Sequence, residues 1–532
     1  MEQDLSFYIV LLLIVVSLVM LAGKLKIAYP IILVLGGLMI SFLPFLPNVS
    51  INPKLIFLLF LPPLLYEAAW QISWKDFWKW RRVISSFAFI IVILTSGVVA
   101  LISTALIPGF NLPLGFLLGG IISPPDAVAA TTILKSVKAP QRIVAIVEGE
   151  SLLNDASSLI VYRFALIAVL TGTFVFHQAL LSFFLVIIMG VVTGLVIAFI
   201  FYLMHKWLPT TPSIDIVLSF IVPYVMYITA EKLHFSGVLA VVSGGLFLSG
   251  RRHLIYSNHS RIQGLNVWTT IGFVFNGLIF LLIGLELPHV VRSLGPIALQ
   301  DAIKYSVIIS FVIIITRLFS TLGASLFTTI ASKVITTADS HPGWRGPFIF
   351  GWVGMRGVVS LASALSIPLT LNNGAAFPQR NLILFITFSV ILFTLVFQGI
   401  TLPWVVRLMH EPEKDYILPR YRQDATIRKA IKNAALGLLK GKFKDEVSSN
   451  ELLQILQSRL ESELTYLNDH RQPAREFSNR IDHYHAVYRQ IIDKQRSMLL
   501  HMNKQAEFEE EIIRKHFTQL DLEEENLAKL AE

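Results

Sequence analysis

Residues 149–171 read GESLLNDASSLIVYRFALIAVLT, which drives Glu150, Asn154 and Asp155 into a segment otherwise apolar enough to cross a bilayer. A spanning helix needs roughly 20 such residues. A carboxylate near the bilayer centre costs about 3 kcal/mol even on lenient insertion scales, so an intramembrane Asp is read by default as an ion or proton site. At helical spacing Glu150 stacks on Asn154 and Ser151 stacks on Asp155, giving two adjacent polar faces of one helix.

The rest of the chain has the same character. It holds 532 residues, 54% of them hydrophobic and only 15% charged, with a mean hydropathy of +0.66, values outside the range of soluble domains. Hydropathy marks thirteen candidate spans, at 7–23, 29–47, 54–70, 83–107, 113–133, 150–171, 178–204, 213–231, 236–250, 268–288, 302–330, 348–371 and 382–404. The first follows Glu2 and Asp4 without a basic leader, and is expected to be a retained helix and not a signal peptide. The chain has no cysteine, which excludes disulfides and thiolate metal sites.

Basic residues sort by loop. Those after odd spans include Lys24, Lys26, Lys75, Lys79, Arg81, Arg82, Lys135, Lys138, Arg142, Lys206, Arg251, Arg252, Arg261, Lys333 and Arg345, whereas the even loops hold chiefly Lys54, Lys232, Arg292, Lys304 and Arg380. The positive-inside rule makes the odd loops cytoplasmic. The N-terminus is then expected outside, and the tail from Glu411 inside. The chain divides on this reading into a transmembrane domain, 1–410, and a tail, 411–532. The tail repeats apolar residues every three or four positions among Glu, Lys and Arg, as in ELLQILQSRLESELTYL, the pattern of amphipathic helices. Two to four helices are expected there, serving as a solvated appendage, a dimer contact or a regulatory domain. Its partner is unknown, and no nucleic acid is expected.

Two spans carry breaks. Ser123-Pro124-Pro125-Asp126 removes two backbone donors from the fifth, and Gly351, Gly354 and Gly357 flank Arg356 in the twelfth, each glycine weakening a helix by about 1 kcal/mol relative to alanine. Broken backbone at membrane depth is tolerated only inside protein or beside a water-filled cavity. The breaks lie seven spans apart, so spans 1 to 6 match 8 to 13 with inverted orientation, and such paired interruptions point to a transport site. Asp126 reads equally as a ligand and as the N-cap of the second half-helix. Arg356 needs a buried anion, and Glu150 is the expected partner. Glu67, beside Pro62 and Pro63, reads as a site acid or as an interfacial one. Arg163 and Arg317 are expected to pair or snorkel, Glu286 to lie near the outer interface, and His177, His234 and His289 have no metal-ligand spacing.

Four stretches in order, FLPPLLYEAAW, GGIISPPDAVAA, GESLLNDASSLIVY and GWVGMRGVVSLASAL, resemble the bacterial form of the sodium/proton exchanger branch of the monovalent cation/proton antiporters, over roughly residues 5 to 410. The resemblance implies an all-α polytopic membrane protein with two inverted six-helix repeats and crossed discontinuous helices, followed by a helical cytoplasmic tail. It implies a homodimer in the lipid of the bacterial inner membrane, working by alternating access of a mobile core in pH homeostasis. Asp155 would hold proton and cation alternately, with Ser151, Glu67 and the Pro125 backbone carbonyl as further ligands and Asp126 as a candidate. Glu150, Asn154 and Arg356 would form the supporting polar cluster. The transported ion would be Na+, or K+ or Li+, exchanged electroneutrally because Asn154 precedes Asp155 where electrogenic relatives carry a second acid. A passive cation channel is the alternative from another class. No cofactor is expected, and an enzyme or an ATP-driven pump is disfavoured, since no GxSxG, HExxH or GxxxxGK[ST] motif occurs where it would be needed.

Overall fold

A computed structural model describes residues 2–42, 56–172, 176–294, 298–333, 339, 342–413, 420–468, 474–503, 505 and 510–531. Among these the chain is helical, apart from one isolated bridge between Thr370 and Ala376. It divides into two compact units, Met1–Glu413 and Lys414–Glu532.

The first unit opens with α1 (Glu2–Leu25), α2 (Tyr29–Ile40) and α3 (Leu61–Gln71), the last preceded by a π turn at Ile56–Phe60. Parts of the second and third hydropathy windows, with Lys54, lie outside the described residues. Then come α4 (Trp74–Leu106), α5 (Leu112–Ile122), α6 (Ala127–Ser136), α7 (Gln141–Thr171), α8 (Phe176–Trp207), α9 (Pro212–Lys232), α10 (Gly237–Ile255), α11 (Asn258–Arg292) and α12 (Leu299–Ala331). The unit closes with α13 (Arg345–Trp352), α14 (Val358–Leu365) and α15 (Arg380–Met409). Nine helical stretches among the described residues are long and apolar enough to cross a membrane. Helix starts follow capping chemistry: the side chains of Asn111, Thr211 and Ser236 each accept from the amide three residues on, with proline in the first turn of α5 and α9.

The helices pack as two groups. α1, α2, α3 and α8 to α11 pack with one another, and α4 to α7 pack with α12 to α15. Within the first group, Gly37 of α2 and Gly284 of α11 let two backbones touch: a Cβ on Gly37 would sit 2.4 Å from the Leu281 carbonyl oxygen. The groups meet where α2 contacts α6, α3 and α10 contact α7, and α11 contacts α14 and α15.

Both sequence breaks are breaks in the structure. α5 stops before Pro124 and α6 starts after Asp126; α13 stops at Trp352 and α14 starts at Val358. The extended segments cross, and the Asp126 amide donates to the Met355 carbonyl at 2.7 Å. A Cβ on Gly357 would fall 1.7 Å from an Asp126 carboxylate oxygen, so only glycine permits the approach.

The second unit contains α16 (Arg420–Lys440), α17 (Lys444–Ser449), α18 (Glu451–Asn468), α19 (Ala474–Met502) and α20 (Glu510–Ala531), four long helices and a six-residue one. α16 packs on α18, where Lys440 pairs with Glu461 at 2.8 Å, and α19 packs on α20, where Arg496 reaches Asp521 and Glu524.

Candidate ion-binding site

Four half-helix ends meet at the crossing, and each is met by a group of the sign its dipole favours. The carbonyl of Ser123, C-cap of α5, accepts from Arg356 Nη1. At the N-terminus of α6 the Asp126 carboxylate accepts from the Val128 amide at 2.8 Å, and it also accepts from the Val358 amide at the start of α14. One carboxylate thus caps two half-helices. At the end of α13, Arg317 Nε donates to Phe350 O at 3.2 Å and Gln398 Nε2 donates to Trp352 O at 2.9 Å. The Arg356 amide donates to Thr394 Oγ1 at 3.1 Å. Thr394 and Gln398 bound a π turn in α15, a distortion that recurs at functional sites.

α7 runs unbroken beside this crossing. Its two polar faces do different work. On the inner face, Glu150 (1% exposed) takes both terminal nitrogens of Arg317 at 2.8 Å each, and Asn154 Nδ2 donates to the Pro125 carbonyl at 3.0 Å. On the outer face, Ser151 Oγ accepts from the Ala127 amide at 3.2 Å, adding a second cap to α6. The carboxylate of Asp155, a half-buried residue, has no hydrogen-bond or ion-pair partner among the described residues.

Asp155, Ser151, Pro125, Asp126 and Glu67 all line one cavity of about 360 Å³ between the two helix groups. Glu67 approaches from α3, held by Gln71 Nε2 at 2.8 Å, and leans on Gly272 of α11, where a Cβ would lie 1.9 Å from its oxygen. Glu67 therefore belongs to one helix group and Asp155 to the other.

Two expectations are corrected. Arg356 does not neutralise Glu150: Arg317 does, and Arg356 spends its charge on the carbonyl end of α5. The reason is geometric, since Arg317 projects from the middle of α12 while Arg356 starts inside the break. The Pro125 carbonyl is also not bare, because Asn154 reaches it. Arg317 is 2% exposed, which excludes snorkelling. Glu286 is buried within α11. His234, two residues past the end of α9, is left-handed, and its carbonyl accepts from Arg163 at 3.4 Å. The side chains of His177 and His289 lie outside the described residues. Among the described residues no three acidic or imidazole side chains converge as a metal cage.

One family model, described as "Sodium/hydrogen exchanger, transmembrane", matches residues 9–408 of the sequence. The chain belongs to the sodium/hydrogen exchanger family. It is 34% identical to the sodium, potassium, lithium and rubidium/H(+) antiporter of Bacillus pumilus (strain SAFR-032), over 70% of this chain and 57% of that relative. The match thus spans less than two thirds of the relative's length. An uncharacterized Na(+)/H(+) exchanger of Escherichia coli (strain K12), YjcE, is 28% identical over 98% of both chains, so that likeness includes the second unit. In fold, the chain superposes on the sodium proton antiporter MjNhaP1 of Methanocaldococcus jannaschii with a TM-score of 0.62 at 18% identity, covering 77% of this chain and 99% of that one.

In this exchanger-family member, sequence reasoning missed Arg317 as the partner of Glu150 and Gly272 as the backing of Glu67. It also missed Glu148, which lines the same cavity and pairs with Lys135 at 2.8 Å. The signal was present, since Glu148, Ser151 and Asp155 repeat at the three- and four-residue spacing that aligns side chains on one face.

Proposed function

We propose that this protein is a secondary antiporter that exchanges a monovalent cation for H+ across the inner membrane. The observation that carries the reading is the solitary carboxylate of Asp155 at a cavity between two helix groups, where Glu150, Arg317 and Asp126 already have partners and Arg356 is turned to the Ser123 carbonyl. A desolvated carboxylate left bare is costly, so the site is neutral only with a proton or a cation on it. The two ligands then exclude each other, and coupling follows if only the neutral site crosses. One-for-one exchange follows by family analogy, since Asn154 precedes Asp155 where electrogenic relatives carry a second acid.

Ser151, Glu67 and the remaining lone pair of the Pro125 carbonyl supply the oxygens that replace water around a hard cation. Because Glu67 and Asp155 sit on different groups, the coordination shell tightens as the groups close. The core group, α4 to α7 with α12 to α15, moves against the other in a homodimer, and Asp126 keeps its two caps throughout. The distribution of loop charges supports an N-terminus outside and a cytoplasmic second unit, and on that reading the end of the cavity at Lys135 and Glu148 faces inward.

Na+ is the first candidate. The Bacillus relative, named a sodium, potassium, lithium and rubidium/H(+) antiporter, supports K+, Li+ and rubidium as a second reading. Dequenching of a pH-sensitive dye in everted vesicles, compared across Na+, Li+ and K+ at several pH values, tests both readings. Saturable cation-dependent proton release is expected; cation flux without proton movement indicates a channel instead.

A further inference from the structure

Lys135 lies in the last turn of α6, and Glu148 lies on α7 seven residues before Asp155, about 10 Å along the axis toward the mouth. Their side chains pair at 2.8 Å and are 60% and 28% exposed. Both line the cavity that contains Asp155. The cavity that contains Asp155 thus also presents, at a solvent-exposed part of its lining, a carboxylate that an ammonium already occupies.

We propose that the Lys135–Glu148 pair is a competitive admission element: Glu148 recruits the incoming cation, and the tethered ammonium of Lys135 must be displaced for it to bind. The inference rests on the antiport reading and deepens it by naming residues that set apparent cation affinity without touching the exchange site. The chemistry selects for positive charge. Glu148 offers oxygen, and the cation competes with an ammonium of the same charge at the same position. An exposed ion pair of this kind contributes little to stability, so the competition is weak enough to be reversed by millimolar cation. Once past it, the ion follows one helix face, from Glu148 past Ser151 to Asp155.

The sign of the effect separates this role from a structural tie between α6 and α7. In proteoliposomes, Lys135→Gln is expected to lower the apparent KM for Na+ by about two- to fivefold, and Glu148→Gln to raise it by about two- to fivefold, each with maximal rate within about twofold of wild type. Lys135→Arg keeps the charge and should keep the wild-type KM. In the Glu148→Gln background the effect of Lys135→Gln should shrink, because its anionic partner is gone. Raising ionic strength with choline chloride should also shrink both shifts, since these groups are solvent-screened. A fall in maximal rate at unchanged KM in both variants would overturn the proposal in favour of a structural tie, as would KM values that do not move. If wild-type vesicles show no cation-dependent proton movement, the antiport reading itself has failed; if they do and KM is unmoved, only the admission role has.

Discussion

Replacing Arg317 by methionine keeps most of the side chain's length and removes its charge. In the structure the arginine is 2% exposed and its partner Glu150 1% exposed, joined by two bonds of 2.8 Å, with Nε donating a third to Phe350 O at 3.2 Å. Breaking a buried pair from one side leaves an uncompensated charge and costs about 3 to 5 kcal/mol. The lost bond to Phe350, in the last turn of α13, adds about 1 kcal/mol. Glu150→Gln alone should show a similar loss, because it strands Arg317. Removing both charges together should recover most of the deficit, since apolar or neutral replacements of a whole buried pair are often close to neutral. With each single loss at about 3 to 5 kcal/mol and the double variant close to neutral, the coupling between positions 317 and 150 is expected at about 5 kcal/mol or more, above the usual range for residues in contact. Unfolding in mixed micelles, followed by tryptophan fluorescence for wild type, both single variants and the double variant, measures it. The same cycle between Arg356 and Glu150 should give a smaller coupling, because Arg356 hydrogen-bonds the Ser123 carbonyl instead. Additive losses at 317 and 150, or a larger coupling at 356, would refute the assignment of the pair.

Three further substitutions probe the crossing and the cavity. Gly357→Ala places a methyl group 1.7 Å from the Asp126 carboxylate, so the half-helix capping is expected to fail; a fluorescence size-exclusion profile should show loss of the monodisperse folded species. Gly272→Ala collides only with the flexible end of Glu67, and is expected to leave thermal stability near wild type while raising the apparent KM for Na+ in the vesicle assay. Ser151→Ala deprives the Ala127 amide of its acceptor, a loss of about 1 kcal/mol of stability that a thermal melt would report, together with weakened cation dependence of transport.

The breaks were legible because proline and glycine act on the backbone directly: Pro124-Pro125 cannot supply helical donors wherever the chain goes, and the three glycines around Arg356 mark the second interruption. The split of α7 into two faces was also legible from spacing alone, and the structure places Glu150 and Asn154 inward and Ser151 and Asp155 toward the cavity. The partner of Glu150 was not. Choosing between Arg317 and Arg356 depends on helix rotation and on where a broken helix aims its side chains, which hydropathy does not encode. One cue was available, since Arg317 sits mid-way along the 33-residue α12, too far from either end to reach an interface. The capping of α6 and α14 by a single Asp126 depends on the approach of two breaks 230 residues apart in the chain, visible only once they cross. The carbonyl of Pro125 looked free for the same reason, because an Asn on a neighbouring helix reaches it only in three dimensions.

Asp155→Asn, reconstituted beside wild type, isolates the one acid to which transport is assigned. The substitution removes a single proton-binding group of nearly unchanged volume, and no hydrogen bond or ion pair among the described residues is lost with it. The variant should therefore purify and melt like wild type while cation-dependent proton movement across the vesicle membrane disappears. Wild-type exchange by a well-folded Asp155→Asn variant would contradict the assignment and move the search to Glu67 and Glu148 in the same cavity.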